Sequence, residues 1–349
     1  MQALLSAAIL LGVRNYRTRL RVGGASTQKP SWRHHFIPEF YLKRWSLGGT
    51  KLVQFSRPYG STVKPKTLSP RETGFQDKLY TLAGLDPELA QALEEQYFQK
   101  IDGAAADALA RLHAKPGSEL TKRERVGWTQ FLVSLWTRNP EEVEATKQVY
   151  AANWTKTTPK MEEAYFSAKR PNDPPTFAEY LATVSKEFVE RNAMLALANR
   201  GKPLHSTLHI ANMKWGSLKT PFWTEALLTS DRPIIRYGGL AIDDAYIVMP
   251  IRPKHIFFSV NTPYAGRALI EQEPSKLVAE MNKQVTQQAH WFVYATTDRP
   301  LVFVQEHMSQ KPAPIIAKKI KLFPSGHRIN PRALRRGEQL REYYRDIPI

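Results

Sequence analysis

The sequence predicts an α+β fold: a central helical block flanked by short strands that form one mainly antiparallel sheet. Two observations carry this. Leu89, Leu93, Tyr97, Ile101, Ala104 and Ala108 recur at helical spacing, which lays one apolar stripe along a helix. From about His205 the period changes to short β-branched or aromatic runs separated by Pro, Gly and Asn. Strands, then helices, then strands again indicate α+β rather than alternating α/β.

The elements follow in chain order. The compact part opens at Trp32, and Pro38 restrains the preceding His-Phe-Ile to extended geometry. Residues 51–56 alternate apolar and polar as a strand does, and 78–82 is a second short strand. Asp86 followed by Pro87 is a cap with proline at the first helical position. Thr121 with Glu124 is a capping-box pair that starts a helix through Trp136. Pro140 breaks or restarts that helix. Thr176 with Glu179 repeats the pair for a helix carrying Tyr180, Val184, Phe188 and Leu195, after a loop, R-P-N-D-P-P, at 170–175. Strands are expected at 207–215, 222–229, 246–251, 256–260, 291–295 and 301–305, with one helix at 275–289.

Of the net charge of +18, residues 1–38 carry six Lys or Arg and no acid. Residues 311–349 carry ten against three acids, which leaves +5 for 39–310. The expected organisation is therefore a basic extension (1–30), a single α+β domain (31–310) and a basic tail (311–349). Basic tails suit nucleic acid or another polyanion as a partner. The chain has no cysteine. That excludes disulfides, thiolate metal sites and a cysteine nucleophile, and fits a reducing, cytoplasmic setting. The apolar run 3–13 is too short to span a bilayer, and its arginines follow it rather than precede it as in a secretory signal. Phosphate-loop, dinucleotide, H-E-x-x-H and G-x-S-x-G motifs are all missing.

Five residues are the candidates for chemistry. His34 and His35 sit together on an extended segment, where neighbouring side chains face opposite ways. One of them can serve as base or metal ligand, and the alternative is a packing role. Asp231 suits a general base or a hard-cation ligand, so a divalent metal is one option for a cofactor whose identity is open. Its alternative is a turn bonded to its own backbone. Arg138 can clamp phosphate or carboxylate, or satisfy a helix end. Asn282, with Gln288 near it, lies on a predicted helix, where Asn needs a job such as binding or fixing a loop. The remaining histidines (His113, His205, His209, His255, His290, His307 and His327) show no tight metal spacing; His205 and His209 fall in strand-like sequence, too far apart to chelate easily.

R-H-H-F-I-P-E-F-Y-L-K-R-W (33–45), W-T-R-N-P (136–140), L-L-T-S-D-R-P-I-I (227–235), M-P-I-R-P (249–253) and the helix around Asn282 together resemble the domain-of-unknown-function 4238 family. The resemblance spans about 33–296. It implies an intracellular protein of bacterial type and supplies no activity. The residue set itself supports a hydrolase that cleaves a phosphodiester with His34 or His35, Asp231 and Arg138. The rival readings are a non-catalytic nucleic-acid- or protein-binding module and a metabolite sensor.

Overall fold

The computed structural model describes residues 32–85, 90–114, 120–199 and 205–317. The apolar run near the start, the Asp86–Pro87 cap, the His205 side chain, His327 and most of both basic tails lie outside the described residues or side chains.

The fold is α+β, with antiparallel strand pairing throughout, but the strands divide among three sheets rather than one. β1 (Arg33–His35) pairs only with β4 (Phe75–Asp77). A second sheet has the order β3 (Lys64–Leu68), β2 (Leu52–Ser56), β10 (Val293–Ala295), β6 (Thr229–Ser230). The third has the order β5 (Lys214–Lys219), β9 (His255–Val260), β8 (Tyr246–Arg252), β7 (Ile235–Tyr237). The cause of the division lies between β6 and β7. Asp231, Arg232 and Pro233 turn the chain out of one sheet and deliver it to another. Short strands carry too little pattern to reveal such an exchange.

The helices in order are α1 (Glu39–Leu42), α2 (Gln99–Ala114), α3 (Lys122–Thr137), α4 (Pro140–Asn153), α5 (Pro159–Ala168), α6 (Phe177–Ala182), α7 (Lys186–Asn199), α8 (His205–Asn212), α9 (Pro263–Ile270), α10 (Pro274–Gln288) and α11 (Leu301–His307). Thr121 and Thr176 both form the expected capping boxes, and Pro140 starts α4 at its first position. The helix expected from Thr176 is two, α6 and α7, because the chain turns at Thr183.

The third sheet is buried on both faces. Ile247, Met249, Ile251 and Phe257 join the main core with Trp128, Phe131 and Leu132 of α3. Val248, Ile256 and Phe258 turn the other way, onto Leu277, Val278, Met281 and Val285 of α10. That double burial explains why β8 and β9 read as continuous apolar runs.

Four expected strands are otherwise. The first part of 207–215 is helix α8, with Ile210 and Met213 in the main core and Arg125 donating to the Ala211 and Met213 carbonyls at the helix end. Only Thr229 of 222–229 is strand, because side chains replace the ladder there. Lys254 Nζ reaches the carbonyls of Pro221, Phe222, Thr224 and Glu225. Residues 301–305 begin α11, which Pro300 starts as a cap. Lys78, at φ 58°, ends β4 in the left-handed region, so 78–82 continues as a turn. Periodicity missed β3, β4 and β7; β3 carries Pro65 and lies at a sheet edge, where a lost N–H is tolerated.

Candidate active site around Arg138

α2 is entered through a π turn, Glu94–Phe98. Residues eight apart in a regular helix differ by about 80° around the axis. The wider turn brings Glu94 and Asp102 back toward one face, where both act electrostatically on Arg138. Arg138 itself caps the C-terminus of α3, a position that accepts a cation favourably. Its side chain is fully buried, with Nη1 2.9 Å from Asp102 Oδ1 and the guanidinium 5.8 and 5.5 Å from the Phe98 and Phe131 rings. Tyr80 donates its hydroxyl to the Arg138 carbonyl at 2.6 Å.

Much of this centre's hydrogen-bonding capacity is unused. Arg138 Nε and Nη2, Glu94 Oε2, Gln91 Nε2, Asn139 Oδ1 and His35 Nε2 are all buried without a partner. Glu94 forms no ion pair with Arg138. Unmet polar atoms cost stability, and two of these belong to the Arg138 guanidinium itself. Burial, reinforced by the Asp102 charge and opposed by Arg138, pushes the Glu94 carboxyl up to about 7. Burial also raises Asp102 against the pull of Arg138, and raises the Tyr80 hydroxyl. Glu94 and Asp102 are partly buried as residues, although Glu94 Oε2 itself is buried.

The paired histidines have different surroundings. His34 is fully buried and stacks on Tyr80. Its Nδ1 accepts from the Tyr80 N–H at 2.8 Å, and its Nε2 donates to Gln91 Oε1 at 2.7 Å. Burial holds it below the usual imidazole range, so it is neutral with both nitrogens committed. His35 packs against Phe75, bonds the Arg71 backbone carbonyl and senses the Arg138 charge. Its Nε2 is the ring atom left over.

Asp231 belongs to a second, separate polar region. Its Oδ1 and Oδ2 accept the backbone N–H groups of His290 and Trp291 at 3.0 and 2.6 Å. The carboxylate thus bonds a distant segment rather than its own turn. Burial pushes it up to about 6, against the pull of Arg232. Arg232 Nη2 pairs with Glu141 Oε2 at 2.7 Å, and the other Glu141 oxygen receives His290 and Trp291. Although burial opposes it, His290 and Arg232 pull Glu141 down to about 2. Asn282 is equally committed: Oδ1 accepts from the Leu228 N–H at 2.8 Å and Nδ2 donates to the Ala226 carbonyl at 2.9 Å. Gln288 donates to the Arg232 and Ile234 carbonyls. A cleft of about 200 Å³ lies beside this region, lined by Trp136, Arg232, Ile234, Arg236, Gln288 and Lys311 among others.

Of the five candidates, Arg138 and His35 interact with one another, and His34 touches the same centre through Tyr80 and Gln91. Asp231 and Asn282 make their hydrogen bonds elsewhere. Glu94 and Asp102 were not anticipated. Their signal was available in part: Leu93, Tyr97 and Ile101 mark the buried stripe, and both acids border it. The π turn that aligns them leaves no periodic trace. His205 and His209 lie on helix α8 rather than a strand, and His209 Nε2 bonds Asn261 at 2.9 Å. No group of three or more His, Asp or Glu placed to hold a metal occurs among the described residues. No helix among them is long and apolar enough to cross a membrane.

Fold and centre together define an α+β protein with a buried arginine–carboxylate centre between two helices. Residues 33–307 match the family described as protein of unknown function (DUF4238), and the chain belongs to that family. No curated protein and no solved structure matches it.

Proposed function

We propose that the chain is a hydrolase acting on a phosphodiester, with its acid–base centre at Glu94 and Arg138. The observation that carries this reading is the buried Arg138 guanidinium, whose Nε and Nη2 lack partners, together with a Glu94 carboxyl that feels the Arg138 charge and has an unpartnered oxygen of its own. Two N–H groups of one guanidinium match two non-bridging phosphate oxygens. In this mechanism Glu94 takes a proton from water, and the water oxygen attacks phosphorus. The bond to the leaving oxygen breaks, and protonated Glu94 returns the proton to it. Arg138 stabilises the charge gathered on the phosphate, and Asp102 orients Arg138. A carboxyl near 7 is suited to both halves of that cycle at neutral pH. His35, which feels the Arg138 charge, offers the site an unpartnered Nε2. No metal step enters, because Asp102, one of the two available carboxylates, is already engaged by Arg138.

In this reading His34, Asp231 and Asn282 act by holding backbone, and the basic tails bring in the polyanion. The test is turnover of a panel of phosphodiesters by the wild-type chain and by Glu94→Gln. Loss of at least about a hundredfold in kcat, with thermal unfolding retained, supports the centre. Equal turnover by both forms sinks it.

The second reading, a non-catalytic binding module, is favoured by one specific observation. The side chains of the two most distinctive motifs, His34 and Asp231, are spent entirely on internal bonds. Under it the wild-type chain turns over none of the panel.

A further inference from the structure

Another cluster lies about 16 Å along α2 from Asp102, taking the helical rise over eleven residues. Five basic side chains from five segments meet there: Arg44 of the 3-10 turn after α1, His113 in the last turn of α2, Lys219 ending β5, Arg252 ending β8 and His255 opening β9. Strand register places His255 opposite both Lys219 and Arg252. The His113 and His255 rings meet edge to face at 4.9 Å. None of the three flanking cations, Arg44, Lys219 and Arg252, forms an ion pair or side-chain hydrogen bond among the described residues. His255 is only 6% exposed, and its Nε2 has no partner; His113 Nδ1 and Arg252 Nε are buried and unpartnered as well.

These groups act on one another unfavourably. Burial, then the charges of Arg252, Arg44 and Lys219, lowers His113. Burial, then His113, Lys219 and Arg252, takes His255 down to about 4. Burial and then Arg252 lower Arg44 too. No carboxylate among the described residues opposes any of these shifts. Like charges held this close, with buried donors unmet, have no counter-charge among the described residues.

We propose that this cluster binds the phosphate group of a small-molecule ligand, with His255 and Arg252 at its floor and Arg44, His113 and Lys219 around it. A phosphate offers several acceptor oxygens and a negative charge, and every side chain here can donate to it. The site is separate from the Arg138 centre and stands whether or not that centre is catalytic. Lys219 is exposed, while Arg44, His113 and Arg252 are partly exposed, so the ligand has a route in.

The test uses the full chain and inorganic phosphate, titrated against chloride at constant ionic strength. It is read by calorimetry and by the ring NMR signals of His113 and His255. Saturable binding is expected, with both rings protonating at higher pH once phosphate is present. Lys219→Gln should weaken binding about fivefold and Arg252→Gln about tenfold. Without phosphate, Lys219→Gln should unfold at the same or a higher temperature, since it relieves repulsion; a merely structural lysine would lower it. If Arg252→Gln does not fold, the exposed Lys219→Gln decides alone. Adenosine monophosphate should compete with phosphate more strongly than a short DNA duplex does. A response that never saturates, or is unmoved by Lys219→Gln, overturns the site. Competition by the duplex alone overturns the small-molecule source.

Discussion

The Arg138 centre and the Asp231 turn are built from the same residue types, an arginine with carboxylates and a histidine, yet they treat those residues in opposite ways. Around Asp231 the polar side-chain atoms are used. Both oxygens of Asp231, both of Glu141, Asn282 and Gln288 each hold a partner, largely backbone N–H or C=O. Around Arg138 buried donors and acceptors from five residues stand unmet. The first arrangement fastens a chain that is changing sheets, and its polar atoms are spent mainly on backbone. The second costs stability, and in the proposed function its open bonds are completed by the substrate. Residue type alone therefore does not separate structure from chemistry; the tally of satisfied atoms does.

His34 tests the border between the two regions. Replacing it with Ala strands the Tyr80 N–H and the Gln91 amide in the core. A loss of about 3 kcal/mol in chemical denaturation is expected. A change below about 1 kcal/mol would show that water or a neighbour takes over both bonds.

Asp231→Asn sharpens the contrast from the other side. Asn keeps one acceptor but turns an NH2 group toward a backbone N–H, so a loss of about 2 kcal/mol is expected at pH 8. Burial pushes the Asp231 carboxyl up to about 6, above its ordinary 3.8, so the wild type gains stability as pH falls from 6 towards 3.8 and the Asn variant does not. The deficit should therefore widen over that window. A silent substitution at every pH would show that the carboxylate does not hold His290 and Trp291 in place.

Glu94 should give the smallest effect on stability. Its folded value, about 7, exceeds the ordinary 4.5, so its contribution is complete below pH 4.5 and is lost as pH rises to 7. Glu94→Gln should remove that decline, about 1 kcal/mol after allowance for solvent screening. A wild-type curve that is equally flat over this window would mean that Glu94 is not held protonated by its surroundings.

The sequence by itself determined the fold class, the capped helices and the buried strands β8 and β9, because each is written in local spacing: Thr121 with Glu124, Thr176 with Glu179, and apolar runs bounded by Pro and Asn. It also named Arg138 and His35 as candidates, through chemistry carried by the residue type. Only the tertiary structure decided which polar atoms were already used. His34 looks like a base until Gln91 and Tyr80 occupy its two nitrogens, and Asp231 looks like a ligand until the chain at 290–291 closes on it. Glu94 and Asp102 passed as ordinary helix acids because a π turn has no signature in hydrophobic period. The division into three sheets was equally hidden, since strands of two to seven residues do not encode their partners. In each case the deciding contact joins segments distant in sequence, and no local pattern can record it.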